Sequence, residues 1–397
     1  MTMDFKYIVV GRGMMGAAAA RYLALAEEGV AVIGPDEPKD LRTHAGVFAS
    51  HYDEARIIRT FDDNLIWSTF AARSLARFAD MEAESGIVFS KAAGCLFAGP
   101  APKAGDTNYL SRALRVRDQL GIDVETVGPE AIGSRFPEFA LAGGLTGYYE
   151  RAHAGYLNPR ALVRAQTKLA KAAGAAVIDD TVVAVRDNGG SVEVETAGGG
   201  RYTAERAIVA AGGFSNFHNL LPRPVDMRVT ARTVVFFELG EREKAIFGGM
   251  PSTAVFAERD EDLVYILPPV VYPDGKTYLK IGGDSEARTF DNLADIGAWF
   301  RSDGDPAERE HLVGIARKIM PGLADCPISS AACVASFTRT TYPYIGFTDA
   351  PRIAVLTGGN FVSAKCSDEL GRLGSVLLRE GGLGPEDFGA ELTPLFV

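Results

Sequence analysis

Three glycines stand at fixed intervals near the start of the chain, in Gly11-Arg12-Gly13-Met14-Met15-Gly16. They follow an apolar run at residues 7–10, of the kind buried on both faces of a parallel sheet. They precede an Ala-rich stretch with Tyr22, Leu23 and Leu25, which reads as a helix ended by Gly29, and a second apolar run follows at residues 30–33. Strand, glycine turn, helix and strand make one βαβ unit, the context in which G-x-G-x-x-G binds a dinucleotide. Gly11 makes the tight turn, Gly13 lets the backbone approach a pyrophosphate, and Gly16 lets helix and strand pack closely. The helix N-terminus then offers free N–H groups and a positive dipole end to the anion.

The second strand lacks one usual part. Its end ordinarily carries an acid for the ribose hydroxyls, and here Gly34 holds that position. Asp36 or Glu37 from the loop, a water or a main-chain group would have to take over.

The rest of the chain must supply a second body, since 397 residues exceed what one compact core organises. Residues 61–81 have helical spacing, with Trp67, Phe70, Leu75 and Phe78 on one side. Asn158-Pro159 reads as a cap and first turn of another helix. Residues 228–283 are rich in β-type residues and suggest an antiparallel sheet, followed by a helical region at 296–320 and strands at 331–337 and 353–356. The expected fold class is α/β with an α+β second domain. Residues 1–85, 145–220 and 325–397 would form a discontinuous Rossmann-type cofactor domain, and residues 86–144 and 221–324 a mostly antiparallel substrate domain.

Composition excludes some partners. A net charge of −10 argues against nucleic acid and acidic membranes. Cys95, Cys326, Cys333 and Cys366 form no C-x-x-C pair, and no spacing suggests a metal site, so buried free thiols are expected. No run is apolar enough to span a bilayer and the N-terminus has no signal-peptide pattern, which points to the cytoplasm.

The glycine turn alone does not separate NAD from FAD. Two later segments favour FAD: residues 206–213, a strand ending in small residues that lets backbone pass close to a bound dinucleotide, and Gly358-Gly359-Asn360-Phe361, just before a helix near residues 368–378. A helix N-terminus there would face the N1–C2 edge of a flavin and stabilise negative charge on its reduced ring.

Together these segments resemble the D-amino-acid-oxidase-like flavoproteins, in particular the branch of monomeric sarcosine oxidases and N-methyl-amino-acid oxidases. The resemblance rests on GRGMMG at 11–16, HYDEARIIR at 51–59, NPRALV at 158–163, IVAAGG at 208–213, YLKIGG at 278–283, FTRTTYPYIG at 337–346 and GGNFVSAKCSDELG at 358–371. It implies an FAD cofactor contacted by Gly11, Gly13, Met14, Met15, Gly16, Asp36, Val183, Gly212, Gly359, Phe361, Val362 and Lys365. It implies that Arg56 lies by the flavin ring, that Arg59 and Lys365 clamp a substrate carboxylate, and that Tyr265 walls the pocket. Lys280 matches a lysine beside the flavin that promotes reaction with oxygen. For Arg56 an ordinary salt bridge with Asp53 or Glu54 competes with that role, and Tyr265 fits plain sheet packing equally well.

Two positions depart from the resemblance. Asp284 and Val362 replace pocket histidines, so the pocket is not shaped for sarcosine itself. Ala335 stands at the covalent flavin position, with Cys333 two residues earlier, which implies non-covalent FAD.

The implied reaction is oxidation of a secondary or N-methyl amine of a small amino acid to the imine, with oxygen reduced to hydrogen peroxide. Nearby cations suit it, because the amine must shed its proton before oxidation and positive neighbours lower its pKa. Alternatives are a dehydrogenase passing electrons to a quinone or carrier protein, a non-catalytic flavin-binding regulator, and an NAD-dependent dehydrogenase. The expected oligomeric state is a monomer.

Overall fold

A computed structural model describes residues 4–141, 143–256, 263–283, 288–386, 388 and 391–397. Asp284 lies outside the described residues.

The glycine-rich unit forms as its pattern predicts. Strand Phe5–Val10 lies at the centre of an eight-stranded sheet, parallel to Val30–Ile33 on one side and to Arg201–Val209 on the other. Beyond these lie Ala176–Ile178, and, on the opposite edge, the hairpin Val182–Asp187 and Val192–Thr196. Ile353–Thr357 pairs in parallel with the far half of Arg201–Val209, and Tyr344–Phe347 adds to it antiparallel. The central strands are apolar throughout because both sheet faces are covered; Ile8, Val9, Val32, Ile208 and Val355 are fully buried.

Helix Met14–Ala26 packs on this sheet against Ser367–Glu380 and Pro159–Ala172. Its buried row, Ala17 to Ala20, is small enough to let the C-terminal helix come close. The expected cap is present: Asn158 accepts a hydrogen bond from the Ala161 N–H at 2.8 Å, with Pro159 in the first turn. The helical stretch at 61–81 divides into Leu65–Leu75 and Phe78–Ser85, and the one at 296–320 into Leu293–Phe300 and Pro306–Ile319. The second break follows from Asp305-Pro306, where Asp305 caps a new helix and proline takes its first turn.

The second sheet has nine strands. Its backbone is the antiparallel set Met227–Glu238, Thr277–Gly283, Val264–Val271 and Ser252–Val255. Cys95–Pro100 continues it in parallel with Ser252–Val255, and Leu145–Glu150 pairs with Cys95–Pro100. Ile328–Thr338 runs antiparallel along Met227–Glu238 for eleven residue pairs. The strands Leu145–Glu150 and Ile328–Thr338, assigned by the sequence division to the cofactor side, are hydrogen-bonded here. Neither has an apolar pattern specific to one sheet, so only pairing decides where each belongs.

A small third sheet, Arg56–Ile58, Gly155–Leu157 and Ser90–Ala92, places the 51–59 segment between the two large ones. Among the described residues no helix is long and apolar enough to cross a membrane, and no group of His, Cys, Asp and Glu is arranged to hold a metal ion.

Candidate active site

A cavity of about 470 Å³ opens between the two large sheets. At one end its wall is backbone: Gly11 to Met15, Ala210 to Gly213, and Gly358 to Ala364. These are three of the segments the sequence singled out, and they meet because their strands are neighbours in one sheet.

The glycine turn fits a pyrophosphate. A Cβ at Gly16 would sit 1.9 Å from the Gly11 carbonyl oxygen, so only glycine allows this contact. Gly13, by contrast, borders open space, its nearest neighbour being His51 Nδ1 at 4.0 Å. The helix that begins at Met14 has no side-chain cap and no acid in its first turn, leaving its N–H groups to an anion. Gly34 is explained too: a Cβ there would lie 2.6 Å from the Arg12 backbone nitrogen. The Arg12 side chain occupies that corner, donating from Nε to the Gly34 carbonyl at 3.1 Å and from Nη2 to Asp36 at 2.5 Å.

Asp36 is therefore the partner of Arg12, and its side chain is largely exposed. Arg12, Gly34 and Pro35 line the cavity there, and Asp36 does not. Of the other expected cofactor contacts, Gly11, Gly13, Met14, Met15, Gly212, Gly359, Phe361, Val362 and Lys365 line it. Gly16 serves packing, and Thr181 and Val182 reach the wall instead of Val183. Val183 falls at a bulge in this strand, between the pairs Val182–Thr196 and Ala184–Glu195.

The segment before the last helix is built from left-handed residues. Asn360 has φ +46° and Phe361 φ +66°. For non-glycine residues each costs on the order of 1–3 kcal/mol, so something must hold them. The Asn360 side chain does: Nδ2 donates to the Gly358 carbonyl at 2.8 Å, and Oδ1 accepts from the Thr338 N–H at 3.0 Å. The result presents the Phe361 ring to the cavity, edge-on to Tyr265 at 5.7 Å.

The other end of the cavity is made of side chains. Phe97, Tyr109, Phe256, Tyr265, Phe337 and Phe361 line it together with Arg59, Arg232 and Lys365. Arg59 lies under the Phe97 ring at 4.8 Å and donates to Tyr109 Oη at 3.0 Å, to the Phe61 carbonyl at 2.5 Å and to Asp62 at 2.5 Å. Lys365, nearly fully buried, donates to the same oxygen of Asp62. Burial opposes the charge on Asp62, but Arg59 and Lys365 hold its carboxyl well below the usual range. The adjacent Asp63 is pushed up to about 6, by burial and then by Asp62. Arg59 and Lys365 are thus brought side by side, as the resemblance implies, but around a carboxylate of the chain itself.

Arg56 and Lys280 converge on a second internal acid. Asp53 pairs with Arg56, with Lys280 Nζ at 2.5 Å and with Tyr272 Oη at 2.7 Å. Lys280 also donates to the Ala55 carbonyl at 2.5 Å. Arg56 lines the cavity and donates to the Ser50 carbonyl at 2.9 Å; Lys280 stands behind it, buried and off the wall. Burial, and then the charge of Arg56, push the Lys280 ammonium well below the lysine range, with Cys333 pulling the other way.

Three residues that the sequence did not single out, Asp62, Arg232 and His51, belong to the site, and Asp53 was named only as a salt-bridge partner of Arg56, the pair that the structure shows. Asp62 and Asp53 had a signal, acids within three positions of Arg59 and Arg56. Arg232 had a weaker one, as one of two cations, with Arg228, in the largely apolar strand Met227–Glu238. It sits opposite Cys333 in the pairing, with its guanidinium 5.3 Å from both the Phe337 and Phe361 rings. His51 is deeply buried on the wall, and burial followed by Arg160, Arg12 and Arg56 pushes it down to about 3, so it is neutral at physiological pH. Cys333 and Ala335 both face the cavity.

A glycine turn on a parallel strand, facing a cavity walled by a second, mostly antiparallel sheet, is the arrangement of a dinucleotide-binding site beside a substrate pocket. The chain matches the family model described as FAD dependent oxidoreductase over residues 6–373, and it belongs to that family. It is similar to a monomeric sarcosine oxidase of Bacillus sp. (strain B-0618), 27% identical over 86% of this chain and 82% of the relative. It is similar also to an N-methyl-L-tryptophan oxidase of Salmonella arizonae, 24% identical over 99% of this chain and 97% of the relative. Among solved structures it shares its fold with NikD, described as an unusual amino acid oxidase essential for nikkomycin biosynthesis, at a TM-score of 0.78 and 20% identity, covering 100% of this chain and 98% of NikD. It does so also with an L-proline dehydrogenase from P. horikoshii, at 0.77 and 18%, covering 96% and 95%. As a member of that family the chain is an FAD-dependent oxidoreductase.

Proposed function

We propose that this enzyme oxidises the secondary or N-methyl amine of an amino acid to the imine, with oxygen reduced to hydrogen peroxide. The observation that carries the reading is the pair Arg59 and Lys365, from distant parts of the chain, side by side on the cavity wall. The backbone end of the cavity would hold FAD without a covalent bond, and the flavin would supply the acceptor for the hydride equivalent that leaves a carbon bonded to the amine nitrogen. The chain's residues do the rest. Arg59 and Lys365 take the carboxylate and fix the orientation of the α-carbon. Arg56 and Arg232, both on the wall, disfavour an ammonium and so release the amine lone pair.

The aromatic wall sets the size of the substrate. Phe97, Tyr109, Phe256, Tyr265, Phe337 and Phe361 suit an apolar or planar side chain larger than that of sarcosine, in keeping with Val362 on the wall. The similarity to both a sarcosine oxidase and an N-methyl-L-tryptophan oxidase supports a substrate range that includes aromatic amino acids.

A second reading, a dehydrogenase that hands electrons to a quinone or carrier protein, is favoured by one observation. Lys280, the expected oxygen-activating cation, is compensated by Asp53 and stands off the wall. The experiment is an anaerobic panel of N-methyl, cyclic and D-amino acids scored by flavin bleaching, followed by oxygen uptake. Bleaching with oxygen uptake supports the oxidase, bleaching without it the dehydrogenase, and no bleaching with any amine sinks both.

A further inference from the structure

Arg59 and Lys365 are not a bare pair of cations. The Asp62 side chain is 2% exposed, and one of its oxygens takes hydrogen bonds from both. Asp62 itself does not line the cavity, whereas both cations do. Two positive groups and one negative group leave this cluster with a single net positive charge. Each member needs the others: a buried charge that loses its partner is strongly destabilising, and two adjacent buried cations would discourage each other's protonation. Arg59 is further fixed by the Phe61 carbonyl and Tyr109. For Lys365, Asp62 is the acceptor found among the described residues, and an ammonium has three donors, so it can keep Asp62 while bonding a ligand.

We propose that Asp62 is a built-in counter-ion that sets the charge of the substrate clamp, so that a monocarboxylate brings the cluster to neutrality and a dicarboxylate overshoots it. The inference rests on taking the Arg59–Lys365 end of the cavity as the substrate end. Asp62 acts through the two cations it positions. It keeps them in place when no substrate is bound, so that no side chain has to be reordered when one arrives.

The test is anion binding to the FAD-loaded enzyme, read from the perturbation of its visible spectrum by acetate and by malonate. In Asp62→Asn the malonate-to-acetate affinity ratio rises roughly tenfold or more over that of the unaltered enzyme, the scale of one charged hydrogen bond. In Asp62→Glu, which keeps the charge, the ratio stays near the original. A general loosening of the site would weaken both anions and leave the ratio alone, and an unchanged ratio overturns the proposal. If Asp62→Asn does not hold FAD or fold in plain buffer, recovery on adding malonate supports the counter-ion role, and failure with and without it overturns that role. None of these readouts needs turnover, so the absence of amine oxidation would count against the proposed reaction and leave this result standing.

Discussion

The two ends of the cavity are built on different principles. The cofactor end is backbone, made by the turn at Gly11 to Gly16 and by strand ends from the same sheet. Its specificity lies in where side chains are absent, as at Gly16 and Gly34. The end proposed for the substrate is side chains, with Arg59, Lys365 and Arg232 drawn from three separate parts of the chain and held by internal acids and aromatic rings. Backbone sites tolerate almost no added atom. Side-chain sites tolerate volume but depend on charge balance.

Several substitutions would break or sharpen that contrast, the most severe first. Gly16→Ala places a methyl group against the Gly11 carbonyl and should abolish FAD retention, measured as visible absorbance per protein. Overpacking of this kind typically costs about 1–3 kcal/mol of stability as well. Full flavin content in that variant would remove the claim that the turn is filled. Arg59→Met should leave FAD in place and lower kcat/KM for a carboxylated amine by roughly a hundredfold or more, the cost of losing a charged hydrogen-bonded partner. If flavin content falls in parallel with activity, the two ends are not separable.

Lys280→Met addresses the oxygen step. The expected outcome in stopped flow is reoxidation of the reduced enzyme slowed by roughly tenfold, less than removal of a directly facing charge would give, because Asp53 compensates the lysine. Unchanged reoxidation would assign Lys280 to structure alone.

The smallest effect concerns His51. Its folded-state pKa is depressed to about 3, so the unfolded chain binds a proton there that the folded chain refuses. Stability from this group is complete above the ordinary histidine pKa and declines as pH falls toward 3. The slope reaches at most ~1.4 kcal/mol per pH unit. His51→Gln should flatten the denaturant midpoint between pH 6 and 4 by that increment; equal slopes in both proteins would contradict it.

How much of this was legible in the sequence follows the same division. The βαβ unit and the Asn158 cap are local, each written within a few consecutive residues, and each formed where its pattern placed it, whereas the strand expected at 206–213 runs from Arg201 to Val209 and its small residues lead into a 3-10 turn at Gly212–Phe214. The strands Leu145–Glu150 and Ile328–Thr338 are as plain as strands, but their sheet is set by distant partners. The roles of charged residues were legible only in part. The resemblance brought Arg59 and Lys365 together, as they are found, but not their shared partner Asp62, because nothing local says that residues 303 positions apart will meet on one oxygen.

The sequence by itself determined the dinucleotide turn, since glycine spacing fixes a backbone path that no tertiary contact can supply. Only the tertiary structure decided why Gly34 lacks its acid, which is that Arg12 fills the corner. It alone decided the electrostatics of the substrate end. The energy of a buried charge depends on every partner within a few ångströms, and those partners come from across the chain.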